Sequence, residues 1–281
     1  MFSILQARRL RGNEGEPLPY VFNAFESKKI QFRRGQEILV VAAPGTGKSA
    51  LALTYAIKSG LSAMYFSPDS GSFTQVQRSY SITTGEDMSE AENFAREKSD
   101  DHMSRLGALP LRFNFEASPS LAEIERDLAA FEEVFGEYPA LMIVDNITNV
   151  RSGIQDNDND PFSGLEGLLD YLHSLARETQ TCVIGLHHVN GPYNDGDKPI
   201  PLSGIKGQVG RVPEMVLTVF RSGPDRIGVS VVKNRGNYAD PSGETFAELV
   251  FDGETMTIGD PGSQASFPVP EQDQEAQEIG F

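Results

Sequence analysis

Leu39-Val40-Val41-Ala42-Ala43-Pro44-Gly45-Thr46-Gly47-Lys48-Ser49 decides the fold, because an apolar strand empties into a loop of small residues that ends in Gly-Lys-Ser. The pattern predicts a strand over 37–43, a loop whose backbone N–H groups curl round phosphates, and a helix over 48–58 that Gly60 ends. In that arrangement Ala43, Pro44, Gly45, Thr46, Gly47, Lys48, Ser49 and Ala50 hold ATP, with Lys48 on its terminal phosphates and the Ser49 hydroxyl on Mg²⁺. The usual motif opens with glycine where this chain has Ala42. The strand before the loop and the apolar residues Leu51, Leu53 and Ala56 of the helix after it offset that difference.

Composition sets the outer bounds. At 281 residues the chain builds one large domain or two small ones, with enough core to need no staples. Its net charge of −16 argues against coating nucleic acid nonspecifically and confines any phosphate contact to local basic loops. The lone Cys182 sits in an apolar run, as a small buried hydrophobe does. With no signal peptide and no stretch able to span a bilayer, the expected location is the cytoplasm, without a membrane partner.

Apolar runs alternate with helical periodicities through the middle of the chain, the pattern of an α/β fold whose mostly parallel, twisted sheet carries helices on both faces. Strands are predicted over 63–67, 111–115, 140–145 and 182–187, and helices within 74–99 and over 120–135 and 163–178. Ser120 with Glu123, and Ser163 with Glu166, have the spacing of capping boxes. From Met215 onward, runs over 215–221, 227–233 and 246–251 separated by turn residues predict a C-terminal β-hairpin extension. The expected division is an N-terminal arm over 1–20, an ATPase domain over 21–258 and a disordered acidic tail over 259–281.

Leu141-Met142-Ile143-Val144-Asp145 ends in a carboxylate, and an aspartate at that strand tip holds Mg²⁺ opposite Ser49. Asn146 follows where many motor ATPases carry a water-activating glutamate, so the base must come from elsewhere. Asp69, at the end of Met64-Tyr65-Phe66-Ser67-Pro68, either orients the attacking water or opens the Pro68-Asp69-Ser70-Gly71 turn. His187 and His188 close another strand and point to opposite faces, so one senses the terminal phosphate while the other makes a structural bond. The acidic run Asp156-Asn157-Asp158-Asn159-Asp160 has Pro161 where a calcium loop needs its glycine, so calcium is rejected.

With these residues in hand, the chain resembles the motor domain of DnaB-type replicative helicases, within the RecA-like P-loop ATPases, over about 20–258, and the resemblance implies a phage-encoded replication protein. In that family the phosphate loop often begins with alanine, and the acid ending the second strand is a glutamate in a Phe-Ser-Leu-Glu context, matched here by Phe66-Ser67-Pro68-Asp69. The family's sensor glutamine falls on His188. Val232-Lys233-Asn234-Arg235-Gly236 looks like its Lys-x-Arg segment, which implies catalytic roles for Lys233 and Arg235, the latter an arginine finger reaching a neighbouring subunit's nucleotide. A homo-oligomeric ring, a hexamer, follows from the same resemblance, since a cation supplied in trans makes hydrolysis depend on subunit contact.

Two loops, Val150–Phe162 with Arg151 and Asn190–Pro213 with Lys198, Lys206 and Arg211, face the channel of such a ring and are the candidates for contact with single-stranded DNA. The acidic, aromatic-ended stretch 271–281 is a candidate dock for a replication partner. The function expected is therefore an ATP hydrolase driving a DNA helicase or translocase. A RecA-like recombinase and a slowly hydrolysing, nucleotide-gated interaction module are the alternatives.

Overall fold

Strands that are apolar at every position must be covered on both faces, and the computed structural model, which describes residues 3–6, 12–96, 103–153, 163–208 and 210–262, covers them so. β1 (Glu37–Ala42), β2 (Ala63–Phe66), β3 (Leu111–Asn114), β4 (Leu141–Val144), β5 (Cys182–His188), β6 (Met215–Gly223), β7 (Arg226–Asn234), β8 (Phe246–Asp252) and β9 (Thr257–Gly259) form one sheet. Its order is β3-β2-β4-β5-β1-β6-β7-β8-β9. The pairs from β3 through β6 are parallel. From β6 onward they turn antiparallel, so the C-terminal extension is an added ribbon on the edge of the parallel core.

Seven helices follow in chain order among the described residues: α1 (Asn23–Ser27), α2 (Lys48–Ser59), α3 (Ser72–Thr84), α4 (Met88–Arg96), α5 (Met103–Gly107), α6 (Leu121–Phe135) and α7 (Ser163–Thr179). Alternate strand residues separate the two faces. Ile38, Val40 and Ala42 of β1, with Leu141, Ile143, Ile184 and Leu186, pack against Leu51, Leu53 and Ala56 of α2. Leu39, Val41, Met142, Val144 and Val183 pack on the other side, against Ile124 and Leu128 of α6 and Leu168 and Leu172 of α7. The helix over 121–135 starts as its sequence demands, with Ser120 and Glu123 forming a reciprocal capping box. The side chain of Ser163 lies outside the described residues, and its expected partner Glu166 accepts instead from the Arg211 guanidinium at 2.7 Å.

The arm over 1–20 is not wholly an appendage. Leu18 is buried in the core that includes Phe22, Phe25, Phe32 and Tyr55, its N–H donates to the Phe32 carbonyl at 2.9 Å, and Pro17 bridges to Arg33. At the other end β9 runs through Gly259. Beyond it, Asp260 accepts the N–H groups of Asn23 at 2.7 Å and Ala24 at 2.8 Å, tying the last strand to the start of α1. The expected tail and docking segment over 263–281 lie outside the described residues, as do 1–2 and 7–11. No helix among the described residues is long and apolar enough to cross a membrane.

Gly185 of β5 couples this packing to the strand tips: a Cβ there would sit 2.8 Å from Cγ2 of Ile147, a branch methyl that cannot swing aside, in the turn directly after Asp145 and Asn146. Gly185→Ala is therefore expected to lower stability by about 1–3 kcal/mol through overpacking. Denaturant unfolding checks it, and an unchanged midpoint contradicts the packing account.

Candidate nucleotide site

The loop after β1 turns through Gly45 at φ 74° and Gly47 at φ 109°, left-handed positions where an L side chain would be strained. Gly47 is also the N-cap of α2, so the loop delivers its backbone N–H groups at a helix N-terminus, where anions are favoured. Pro44 and Gly45 are exposed, Ser49 is half-buried, and Thr46 and Lys48 are buried. The segment after β5 backs the loop closely, since a Cβ on Gly196 would meet Oγ1 of Thr46 at 2.7 Å. Arg221 at the end of β6 completes the wall. Its N–H donates to the Gly196 carbonyl at 2.6 Å, its guanidinium donates to the Gly45 carbonyl at 3.3 Å, and the same guanidinium lies 4.2 Å over the Phe251 ring.

The period of two decides which groups at the strand tips share the α2 face. Leu141 and Ile143 lie on that face, and Asp145 continues their register beyond β4. Tyr65 shares the face, and its hydroxyl donates to Asp145 Oδ2 at 2.9 Å, leaving Oδ1 without a protein donor among the described residues. That free oxygen beside the Ser49 helix start suits a divalent cation, and Asp145 with Ser49 would hold it. On β5, Cys182, Ile184 and Leu186 lie on the α2 face, so His188 falls there and His187 on the opposite one. His187 is fully buried with Nε2 2.8 Å from the Lys206 carbonyl. A carbonyl only accepts, so Nε2 carries the proton, and burial drives the imidazole pKa down to about 4. His188 is held below its ordinary pKa by burial and then by the Lys48 charge.

Asp69 is exposed at the head of its turn, and both carboxylate oxygens are engaged: Asn149 Nδ2 donates to Oδ1 at 2.7 Å and Asn146 Nδ2 to Oδ2 at 3.2 Å. The same Asn146 nitrogen lies 2.8 Å from His188 Nε2. Asn146, which in the sequence stands out only for not being glutamate, is thus the link between two predicted site residues. Tyr65, Arg221 and Phe251 were also missed. Their sequence offers no signal, because each meets the site through strand order and register.

Lys233 and Arg235 are not brought to this site. Ala42 is level with Val219 and Ile38 with Met215, and Met215 pairs with Asn234, so the end of β7 sits about 13 Å below the strand tip. There Lys233 donates to the Arg211 and Pro213 carbonyls and Arg235 to the Arg211 carbonyl. Burial, and then the Arg235 charge, bring Lys233 down to about 8. The Asn190–Pro213 segment does not stay at the carboxyl edge as expected. It begins beside His188 but ends at the opposite edge, where the N–H of Glu214 donates to the Glu37 carbonyl, because β5 and β6 run parallel and their connection must cross the whole sheet. Arg211 accordingly travels with Lys233 and Arg235, whereas the exposed Lys206 stays near His187. Of the Val150–Phe162 loop, 154–162 lie outside the described residues. Arg151 donates to the Ser118 carbonyl at 2.8 Å.

Phosphate loop, strand order and tip acids together define a RecA-like P-loop ATPase domain, the class expected from the sequence. The chain belongs to the AAA domain family, whose model matches residues 29–192. It is 55% identical over 268 residues to the Gene 65 protein of Mycobacterium phage L5, covering 93% of this chain and 100% of that one. To the Gene 65 protein of Mycobacterium phage D29 it is 58% identical over 229 residues, covering 79% of this chain and 98% of its relative. Among solved structures, one described as an isolated ATPase domain superposes with a TM-score of 0.74 at 14% identity, covering 92% of this chain and 95% of that one. A DnaB-like replicative helicase, described with its interactions with primase, gives 0.72 at 16%, covering 86% of this chain and 61% of that one. The RadB recombinase gives 0.56 at 18%, covering 86% and 99%. At these identities the structural likeness is one of fold.

Two variants test the site's physical chemistry. Tyr65→Phe leaves the buried Asp145 carboxylate short of a donor and is expected to lower stability by about 1–3 kcal/mol, measured by denaturant unfolding. His187 has a folded pKa of about 4 against an ordinary 6.5, so the unfolded chain takes up a proton first as pH falls. Stability should therefore drop between pH 6.5 and 4 by up to about 3 kcal/mol, and His187→Gln should flatten that slope.

Proposed function

We propose that the protein is an ATP-driven motor that assembles as a ring, a hexamer, and translocates along single-stranded DNA, separating duplex during phage replication in the host cytoplasm. The observation that carries this reading is the division of groups between two edges of one sheet. The phosphate loop, Asp69, Asp145 and His188 gather at one edge, while Lys233 and Arg235 stand at the other, further from their own loop than a side chain spans. A finger so far from its own site acts on the nucleotide of an adjoining copy, where a cation at the terminal phosphate is worth about 10³–10⁵ in rate.

In this reading residues 21–258 are the motor, with ATP along 43–50 and its base against the flat Arg221–Phe251 pair, which offers a stacking surface beside the loop. Lys48 neutralises the terminal phosphates, Asp69 orients the attacking water and His188 bonds the terminal phosphate. Mg²⁺ on Ser49 and Asp145 supplies charge neutralisation at the β and γ oxygens. Lys198 and Lys206, with the Val150–Phe162 loop, attract the DNA backbone, and the tail over 271–281 docks a replication partner. One observation favours the alternative of a slowly hydrolysing, nucleotide-gated module: both Asp69 oxygens already accept amide donors, which weakens the carboxylate as a base.

Mixing tests the assignment. Lys48→Ala and Arg235→Ala proteins should each lack ATPase and forked-duplex unwinding, while Arg235→Ala still binds nucleotide. Combined, they should regain ATPase, because some interfaces then pair an intact loop with an intact finger. Full activity of either variant alone contradicts the reading, and ATP binding without unwinding by the unaltered chain selects the gated module.

A further inference from the structure

Asn146 is buried at 2% exposure and uses both ends of its amide. Its Oδ1 accepts the backbone N–H of Thr148 at 3.1 Å and the Thr148 hydroxyl at 2.7 Å. A backbone N–H can only donate, so the oxygen must face Thr148 and the nitrogen must face the site. The two amide hydrogens then go to Asp69 Oδ2 at 3.2 Å and to His188 Nε2 at 2.8 Å. A donor aimed at Nε2 requires a lone pair there. His188 is consequently neutral, with its proton on Nδ1, since an imidazolium or the other tautomer would set N–H against N–H. Nδ1 is itself buried and has no partner among the described residues. Its neighbour His187 is forced the opposite way, because its Nε2 faces a carbonyl.

We propose that Asn146 is a positioning residue that locks His188 in the Nδ1–H tautomer, so that the ring presents an unused donor to an anionic oxygen, while its second amide hydrogen holds Asp69 in the same network. Resting on the nucleotide reading above, this identifies the acceptor as a terminal phosphoryl oxygen held by Lys48, whose charge already bears on the His188 ring. A buried N–H left without an acceptor carries a desolvation penalty that such an oxygen would remove. Binding and orientation of the terminal phosphate are thereby tied to the Asp69 carboxylate through one amide group. The charged and titratable groups bearing on His188 are Lys48, Asp69, Lys206 and Asp145, and all but Lys206 belong to the same tip cluster.

The tautomer is directly readable. In full-length protein labelled with ¹⁵N-histidine, the chain's four histidines are resolved by long-range ¹H–¹⁵N correlation, and His187→Gln and His188→Gln assign the pair. The expected result at neutral pH is adjacent neutral rings of opposite tautomer, His188 as Nδ1–H and His187 as Nε2–H. Asn146→Asp should convert His188 to the Nε2–H or doubly protonated form, and Asn146→Ala should release it to a mixture, both with His187 unchanged as an internal check on folding. The turnover of Asn146→Ala should fall about 10–100-fold with nucleotide affinity changed by no more than a few-fold, as for loss of a supporting contact. His188 found as Nε2–H in the unaltered chain, or unmoved by both substitutions, overturns the proposal. Because the ring is read without nucleotide, that outcome is distinct from failure of the motor reading, which would show as a correct tautomer whose Nδ1 signal ignores added ATP.

Discussion

The parallel ladder β2–β4–β5–β1 is the constraint on which the site depends. Parallel strands that share register end together, and neighbours lie roughly 4.8 Å apart. Because Phe66 pairs with Val144, Val144 with Gly185, and Val41 with His187, the chain leaving each strand emerges along one line. Asp69, Asp145, His188 and the phosphate loop, far apart along the chain, are neighbours for that reason alone. The ladder holds because both its faces are buried, and both are buried because its strands are apolar throughout.

At the tips the apolar rule ends and hydrogen bonding takes over. Buried polar groups there are costly unless partnered, and most are partnered with one another: Tyr65 with Asp145, Asn146 with Thr148, Asp69 and His188, and His187 with Lys206. An asparagine after the strand-end aspartate suits this network because an amide both donates and accepts. A glutamate there would place a second carboxylate against Asp69 and have no hydrogen to offer His188. The residue that looks like a missing catalytic group in sequence is thus the connector of the groups that remain.

The connection from β5 to β6 performs a different task. It leaves the tip beside His188, packs Ile200 and Ile205 into the core, and delivers Arg211 and Pro213 to the amino edge, where their carbonyls receive Lys233 and Arg235. One segment therefore touches both edges of the sheet. The site edge and the finger edge are mechanically joined through partly buried backbone, which is the physical prerequisite for nucleotide state at one interface to be felt at the other.

Much of this is legible in the sequence, and the rest only in the fold. Strands 37–43, 63–67 and 140–145, the α2 helix with its Gly60 stop, and the Ser120–Glu123 cap announce themselves through runs, periodicity and short spacings, all of which are local physics. The parity of His187 and His188 is likewise available, since adjacent strand residues face opposite ways. Leu18 and Asp260 escape such reading because their partners, Phe32 and the start of α1, lie across the fold and leave no periodic trace. What the amino-acid sequence determined by itself was an anion cradle between a strand and a helix, within an α/β core ending in hairpins. Only the tertiary structure decided which side chains meet there. Strand order and register bring Tyr65 to Asp145, Asn146 to His188, and Arg221 to the loop, and hold Lys233 and Arg235 away. Sheet neighbours are chosen by the burial of whole faces, an energy summed over the entire core, which no local pattern of residues can encode.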